Sequence, residues 1–284
     1  MIKIYNPSVS KQTLGGGHTF RRNLEKSLIG QAEFVDNWQD CDIFLISSVT
    51  IVDKAEVHQS KAAGKKIILR VDNMPRKSRN RGMSPHERMR EYAELASEVV
   101  YQSQWAQRWL GDYIGKQGVV IYNAADSTIF YPPSIKLETP IKTYLITQYN
   151  RDENKRTTQA FDIFTEIWKQ NHNHKLIVVG NYSPELVAVN FDLYRGEQVE
   201  YLGIISDPKA YADVLRRVHT LIYPTYSDAC PNTVIEAWMC GLDVYHTGWE
   251  VIVELFQKWR VSGREHFSLP RLGREYLEVF NKAL

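Results

Sequence analysis

The stretch YPTYSDACPNTVIEAWMCGLDVY, residues 223–245, decides how this chain reads. A strand ends near Pro224, and a helix begins near Pro231 or Asn232. Proline suits a helix's first turn because its missing N–H would be unpaired there anyway. The free N–H groups of that turn, together with the helix dipole, favour an anion such as a phosphate. Asp228 and Glu236 stand eight apart, one just before the helix and one inside it. Glu236 is an acid in an otherwise apolar helix, VIEAWMCG. A buried carboxylate needs partners. A pair of sugar hydroxyls would supply them, and so would a salt bridge on an ordinary strand-to-helix turn. Spacing alone leaves both open.

Outward from this stretch, short apolar runs alternate with amphipathic ones. IKIYN, CDIFLISS, KKIILRV, EVVYQS and GVVIYN read as strands of a first α/β half. Between them, helix-like segments run near Phe20 to Leu28, Val52 to Ala63, MSPHERMREYAELASE and SQWAQRWLGDY. Ser84 and Glu87 have capping-box spacing, with Pro85 between them. NAADSTIFYPPSIKLETP then carries Pro132, Pro133 and Pro140 without a clean period and reads as a linker. Beyond it the alternation restarts: KTYLIT, KLIVVGN, VEYLG and HTLIYPT are strands. KRTTQAFDIFTEIWKQ, DPKAYADVLRRV and PNTVIEAWMCG are helices. SLPRLGREYLEVFNKAL closes the chain as an amphipathic helix with Leu272, Tyr276, Val279 and Phe280 on one face. Alternation of this kind predicts an α/β chain of two Rossmann-like domains with parallel sheets. Such sheets bind ligands at the carboxyl ends of their strands. The expected boundaries are 1–122, a linker 123–140, 141–265, and a final helix 266–284.

Composition narrows the class. The 284 residues are 43% hydrophobic and 24% charged, which excludes a disordered or fibrous chain. No apolar run approaches the ~20 residues of a membrane span. MIKIYNPSVS lacks a basic region followed by an apolar stretch, so no signal peptide is expected. The expected location is the cytoplasm, with a peripheral place at a membrane surface as the variant. Cys41, Cys230 and Cys240 are too few for a disulfide scaffold or a structural zinc site and are expected as packed thiols. Basic and acidic residues nearly balance, at 35 and 33, but Lys61 to Arg90 holds ten basic residues and two acidic ones. That run is either a solvated loop or an attractor of polyanions.

The 223–245 stretch resembles the donor-binding motif of retaining glycosyltransferases of the GT-B fold, family four of that enzyme class. In that motif an acid is followed eight positions later by Glu. Asp228, Pro231, Asn232, Glu236, Ala237, Cys240 and Gly241 match it. Other segments are similar in order and spacing: LGGGHTFRRNLEKSL (14–28), EVVYQSQWAQRWL (98–110) and VIYNAADSTIFYP (119–131). NKRTTQAFDIF (154–164), KLIVVGN (175–181) and VEYLGIIS (199–206) continue the series. The chain departs from the family in having Asp rather than Glu at 228, in Ala229 and Cys230 where Gly and Phe are usual, and in a trimmed first domain.

The resemblance implies two Rossmann-like domains facing a cleft, with the last helix crossing back to the first domain. It implies metal-independent transfer of a sugar from a nucleoside diphosphate sugar, UDP- or GDP-linked, to an acceptor hydroxyl, with retention and no further cofactor. Arg151 and Lys155 would clamp the diphosphate, and Asp228 would hold sugar hydroxyls. Glu236 would bind the ribose, while Pro231, Asn232 and Thr233 would present the helix start to the phosphates. Gly180, Asn181, Gly203 and Ile204 would lie near the nucleoside. Gly16 and Gly17, after Gly15 and before His18, would approach the phosphates, and Asp72 would contact acceptor or reacting sugar. A polyanionic acceptor, either modified DNA or an anionic lipid headgroup, fits Arg76, Lys77, Arg79 and Arg81. Two other readings remain open at this level. One is a sugar-nucleotide epimerase or hydrolase on the same fold. The other is a non-catalytic polyanion-binding protein that uses segment 61–90.

Overall fold

A computed structural model describes residues 1–7, 15–72, 85–134, 139–148, 155–181 and 198–284. The chain divides into two compact units. The first comprises Met1–Ala124, Asp228–Pro231 and Glu250–Leu284, and the second Ala125–Ser227 and Asn232–Trp249. The first unit is therefore discontinuous, whereas the boundaries expected at 122, 140 and 265 keep residues 141–265 together.

The first unit is built on a parallel sheet of six strands in the order β2-β1-β3-β4-β5-β6. These are β1 (Ile2–Tyr5), β2 (Ala32–Val35), β3 (Ile43–Ile46), β4 (Lys66–Val71), β5 (Glu98–Tyr101) and β6 (Val119–Val120). The run IFLI of β3 is buried on both faces, as a central parallel strand must be. Between the strands run α1 (Gly16–Ser27), α2 (Lys54–Ala62), α3 (Pro85–Leu95) and α4 (Gln104–Ile114). Asp53 caps α2 by accepting from the N–H groups of Ala55 and Glu56. Ser103 caps α4 by accepting from Ala106 N–H. Pro85 opens α3, and Ser84 lies outside the described residues.

The second unit holds a parallel sheet in the order β11-β10-β7-β8-β9. Its strands are β7 (Thr143–Gln148), β8 (Lys175–Gly180), β9 (Val199–Gly203), β10 (Thr220–Tyr223) and β11 (Asp243–His246). Its helices are α5 (Thr157–Gln170), α6 (Pro208–Leu215) and α7 (Asn232–Met239). Phe161 and Phe164 of α5 pack on Tyr144, Ile146, Leu176, Val178 and Ile222 to form its core.

Two further helices, α8 (Glu250–Ser262) and α9 (Leu269–Ala283), belong to the first unit. The amphipathic face expected of α9 is the buried one: Leu269, Leu272, Tyr276, Val279, Phe280 and Ala283 join Ile4, Phe20, Leu24 and Leu28 in one core. The chain's last helix thus returns to the first half of the sequence. Gly273 permits the approach, because a Cβ there would sit 2.5 Å from the Ser27 carbonyl oxygen at the end of α1. All three cysteines are free and buried.

Candidate functional site

In the second unit the strand order reverses between β7 and β10, and ligands of open α/β sheets bind at such a switch point, beyond the carboxyl ends of the strands. The chain leaves β7 towards α5 on one side of that point and leaves β10 towards α7 on the other. Lys155, just before α5, reaches across: its Nζ lies 3.3 Å from the Tyr223 hydroxyl at the end of β10. The ammonium is also 5.5 Å from the Tyr223 ring centroid. Next to it, the Arg156 guanidinium covers the Tyr226 ring at 4.4 Å, and Tyr226 meets Trp249 edge-on at 5.9 Å. Arg156 (φ 49°) and Ser227 (φ 59°) are the non-glycine residues with left-handed backbone among those described. Both flank this point.

The same carboxyl edge carries Gly180 at the end of β8 with exposed Asn181 after it, and Gly203 at the end of β9 with exposed Ile204 after it. Asn232 and Thr233 begin α7, whose first turn holds no acid, so its dipole is not already answered from within. Glu236 is buried, one turn on from that start. The helix ends with Gly241 N–H donating to Trp238 O and Leu242 N–H to Ala237 O, at 2.9 and 3.0 Å. That double closure needs the left-handed φ of 85° that Gly241 supplies. Arg151 lies outside the described residues, as do Arg76, Lys77, Arg79 and Arg81.

In the first unit the switch point falls between β1 and β3. Gly16 and Gly17 are the first residues of α1 rather than a loop before it, and a Cβ at Gly17 would stand 3.8 Å from that of Ser48, just beyond β3. The α1 start has no side-chain cap and no acid in its first turn. Asp72 follows β4 directly and is half-buried. Beneath this edge lies a buried polar layer of Asn6, Ser47, Ser48, Arg70, Gln102 and Asn123. Arg70, part of the basic run 61–90, is thus interior and adds nothing to a surface patch.

The loop Asp228–Pro231 is also part of this unit. Cys230 N–H donates to Asp228 Oδ1 at 3.3 Å. Asn123 donates twice to Cys230, from Nδ2 to the carbonyl oxygen at 2.7 Å and from its backbone N–H to Sγ at 3.4 Å. Burial pushes the Cys230 thiol pKa up to about 12, so the sulfur stays protonated and is a packing group rather than a nucleophile. Among the described residues, no group of three or more His, Cys, Asp or Glu side chains is arranged to hold a metal ion. No helix there is long and apolar enough to cross a membrane.

Residues 143–260 match the family model described as glycosyl transferases group 1. HepE of Anabaena, solved with UDP-glucose, superposes with a TM-score of 0.71 at 11% identity, covering 99% of this chain and 100% of that one. Sucrose-phosphate synthase of Thermosynechococcus elongatus gives 0.63 at 13%, covering 100% and 96%. A mutant form of the TarM of S. aureus, solved with UDP and other ligands, gives 0.66 at 11%, covering 84% of this chain and 55% of that one. The chain has the GT-B fold and resembles the group 1 glycosyltransferases. A search of curated protein sequences finds no match. The matched segment of this GT-B chain contains Lys155, Asp228 and Glu236 together.

Sequence reading does not single out Tyr223, Tyr226, Arg70, Asn123 or Arg271. The available signal is a charged residue inside the apolar strand KIILRV, since an arginine there must find buried acceptors.

Proposed function

We propose that this protein transfers a sugar from a nucleoside diphosphate sugar to an acceptor hydroxyl, with retention at the anomeric carbon and without a metal. A UDP-sugar is the first donor to test and a GDP-sugar the second. The observation that carries the reading is the β7/β10 switch point, where Lys155 and the acid-free start of α7 lie at the same strand ends. A leaving diphosphate gains negative charge as the anomeric C–O bond breaks. Fixed donors aimed at that charge stabilise it without reorganising. Lys155 supplies a point charge. Asn232 and Thr233 supply N–H groups on a helix dipole. Buried Glu236, held in place by its helix, accepts from the ribose hydroxyls. Asp228 accepts from hydroxyls of the transferred sugar.

Retention follows if the acceptor attacks on the leaving group's own face. The departing phosphate oxygen then takes the acceptor proton, and no separate general base is required. Arg151, Gly16, Gly17, Gly180, Asn181, Ile204, Pro231 and Asp72 complete the proposed donor and acceptor contacts. The expected location is the cytoplasm.

A thermal-shift panel with UDP, GDP, ADP, CDP and dTDP tests the donor site, with Glu236→Ala beside the wild type. A nucleotide at 100 times its Kd stabilises by about 2.7 kcal/mol. The expected result is a shift with UDP or GDP that Glu236→Ala loses. Absence of any shift would overturn the reading. With the matching sugar nucleotide, Lys155→Ala should lower kcat by about 100-fold, the loss typical of one charge-stabilising donor.

A further inference from the structure

Arg70 sits near the end of β4 with its side chain buried. Its guanidinium covers the Phe20 ring at 3.8 Å and donates to Ser47 O at 3.1 Å, Gln102 Oε1 at 2.6 Å and Asn123 Oδ1 at 2.8 Å. Arginine has only donors, so the Asn123 amide must turn its oxygen towards Arg70. Its Nδ2 then has one direction left, and in that direction lie the Cys230 carbonyl at 2.7 Å and Gln102 Oε1 at 3.2 Å. Gln102 is fixed in turn by donating to Val71 O at 2.8 Å. From the other side Arg271, also buried, donates to the carbonyls of Tyr122 and Asn123, both at 2.9 Å. Asn123 is thereby held at both its main chain and its side chain, and it holds Cys230 from both as well.

We propose that Asn123, oriented by Arg70, is the positioning residue that sets the Asp228–Pro231 loop and through it the Asp228 carboxylate. The relay runs from Arg70 to Asn123, from Asn123 to Cys230, and from the Cys230 N–H to Asp228 Oδ1. It rests on the proposed glycosyl transfer for the role of Asp228, and not for its geometry. It also gives Ala229 and Cys230 a reason: both are buried, small enough to let the loop lie against Asn123. Glu236, eight residues on, belongs to the second unit and is held by α7 instead. The two acids of one motif are therefore set by different parts of the molecule, so nucleotide affinity and sugar transfer are separable.

Asn123→Asp is the diagnostic substitution. It is isosteric and keeps an acceptor for Arg70, but it turns an oxygen towards the Cys230 carbonyl where a donor stood. The expected variant is folded by circular dichroism and keeps the wild-type thermal shift with UDP. Its kcat falls by about 100-fold, the scale of a ~1 Å misplacement, while the donor KM changes by less than about threefold. Alkylation of Cys230 by iodoacetamide, resolved from Cys41 and Cys240 by mass spectrometry, rises by about tenfold or more as the loop opens locally. A folded Asn123→Asp protein with wild-type kcat, or with Cys230 still shielded, overturns the proposal. Should that variant not fold, hydrogen exchange on the wild type decides. Amides of residues 229–230 should exchange as slowly as those of β4, and exchange at the rate of an open loop overturns the clamp. A wild type that turns over no sugar nucleotide would defeat the functional reading, while the labelling and exchange results would still decide the clamp.

Discussion

His266 shows how one side chain sets a pH response. It packs against Tyr122 and Phe267 with ring centroids at 5.1 and 4.9 Å. Burial, aided by Arg271 and Lys258, lowers its pKa from 6.5 to about 4. On acidification the unfolded chain takes up this proton first, so stability falls as pH drops from 6.5 to about 4 and is complete above that window. His174 and His246 are also lowered, chiefly by burial, and act in the same direction. Urea titrations across this range should therefore show stability rising with pH, and His266→Gln should flatten most of the slope. An unchanged slope would show that the imidazole is not the group responsible. The two left-handed residues respond to a different balance. A non-glycine side chain in that region costs about 1–2 kcal/mol, and glycine gives back about 0.5–1 kcal/mol in unfolded-state entropy. Ser227→Gly should therefore gain about 0.5 kcal/mol on the difference of those terms. Arg156→Gly also loses the contact over Tyr226, worth about 0.5–1 kcal/mol, and should come out near neutral. Denaturation midpoints of the two variants check both signs.

Among elements, α8 and α4 are joined by one carboxylate. Glu254 accepts from the N–H groups of Gln104 and Trp105 at 2.8 and 2.9 Å, and from the Tyr122 hydroxyl at 2.6 Å. It therefore satisfies orphan donors of the α4 N-terminus with a charge of the right sign for the dipole. Glu254→Ala should cost about 2 kcal/mol, at the upper end of a helix cap because a buried hydroxyl is orphaned too. Urea unfolding with an unchanged slope and a lower midpoint would show this. Gly273→Ala should be worse tolerated, because its Cβ meets backbone rather than a movable side chain. Elements of this kind separate what the sequence displays from what it hides. The strands β3, β4, β8 and β10 are legible because continuous apolar runs end at turn residues. The strands β2 and β11 are not: each has four residues that are partly or fully exposed, AEFV and DVYH, and neither makes a clear period. Of the proposed site residues, Asp228, Glu236 and the α7 start can be picked out from sequence because their spacing is local. Arg70, Asn123 and Cys230 meet across separations of 53 and 107 residues, which no window along the chain can register.

At the scale of the whole molecule, the order of packing differs from the order of the chain. The first unit takes its core from residues near both ends: Ile4, Phe20, Leu24 and Leu28 pack on six side chains of α9. Each large apolar side chain buried there contributes about 1.5–3 kcal/mol. Loss of the five large ones, all but Ala283, would therefore remove about as much as the ~5–15 kcal/mol that holds a typical domain together. The unit also draws in Asp228–Pro231 and α8, so residues 1–124 alone lack three of the contributions that close it. The second unit has its own core on α5 and a sheet that is complete without α9. A chain ending at residue 268 should thus lose amide protection in β1, β3 and α1 while β7 and β8 keep theirs, as read by hydrogen exchange with mass spectrometry. Uniform loss would show that the units unfold as one cooperative body, and uniform retention that α9 adds little to the core. In the full chain the same dependence orders synthesis. Phe20 and Leu24 of α1, with Leu28 at its end, can meet Ile4, Ile43, Leu45 and Ile68 as soon as the sheet strands exist, but their core is complete only after α9 has been made.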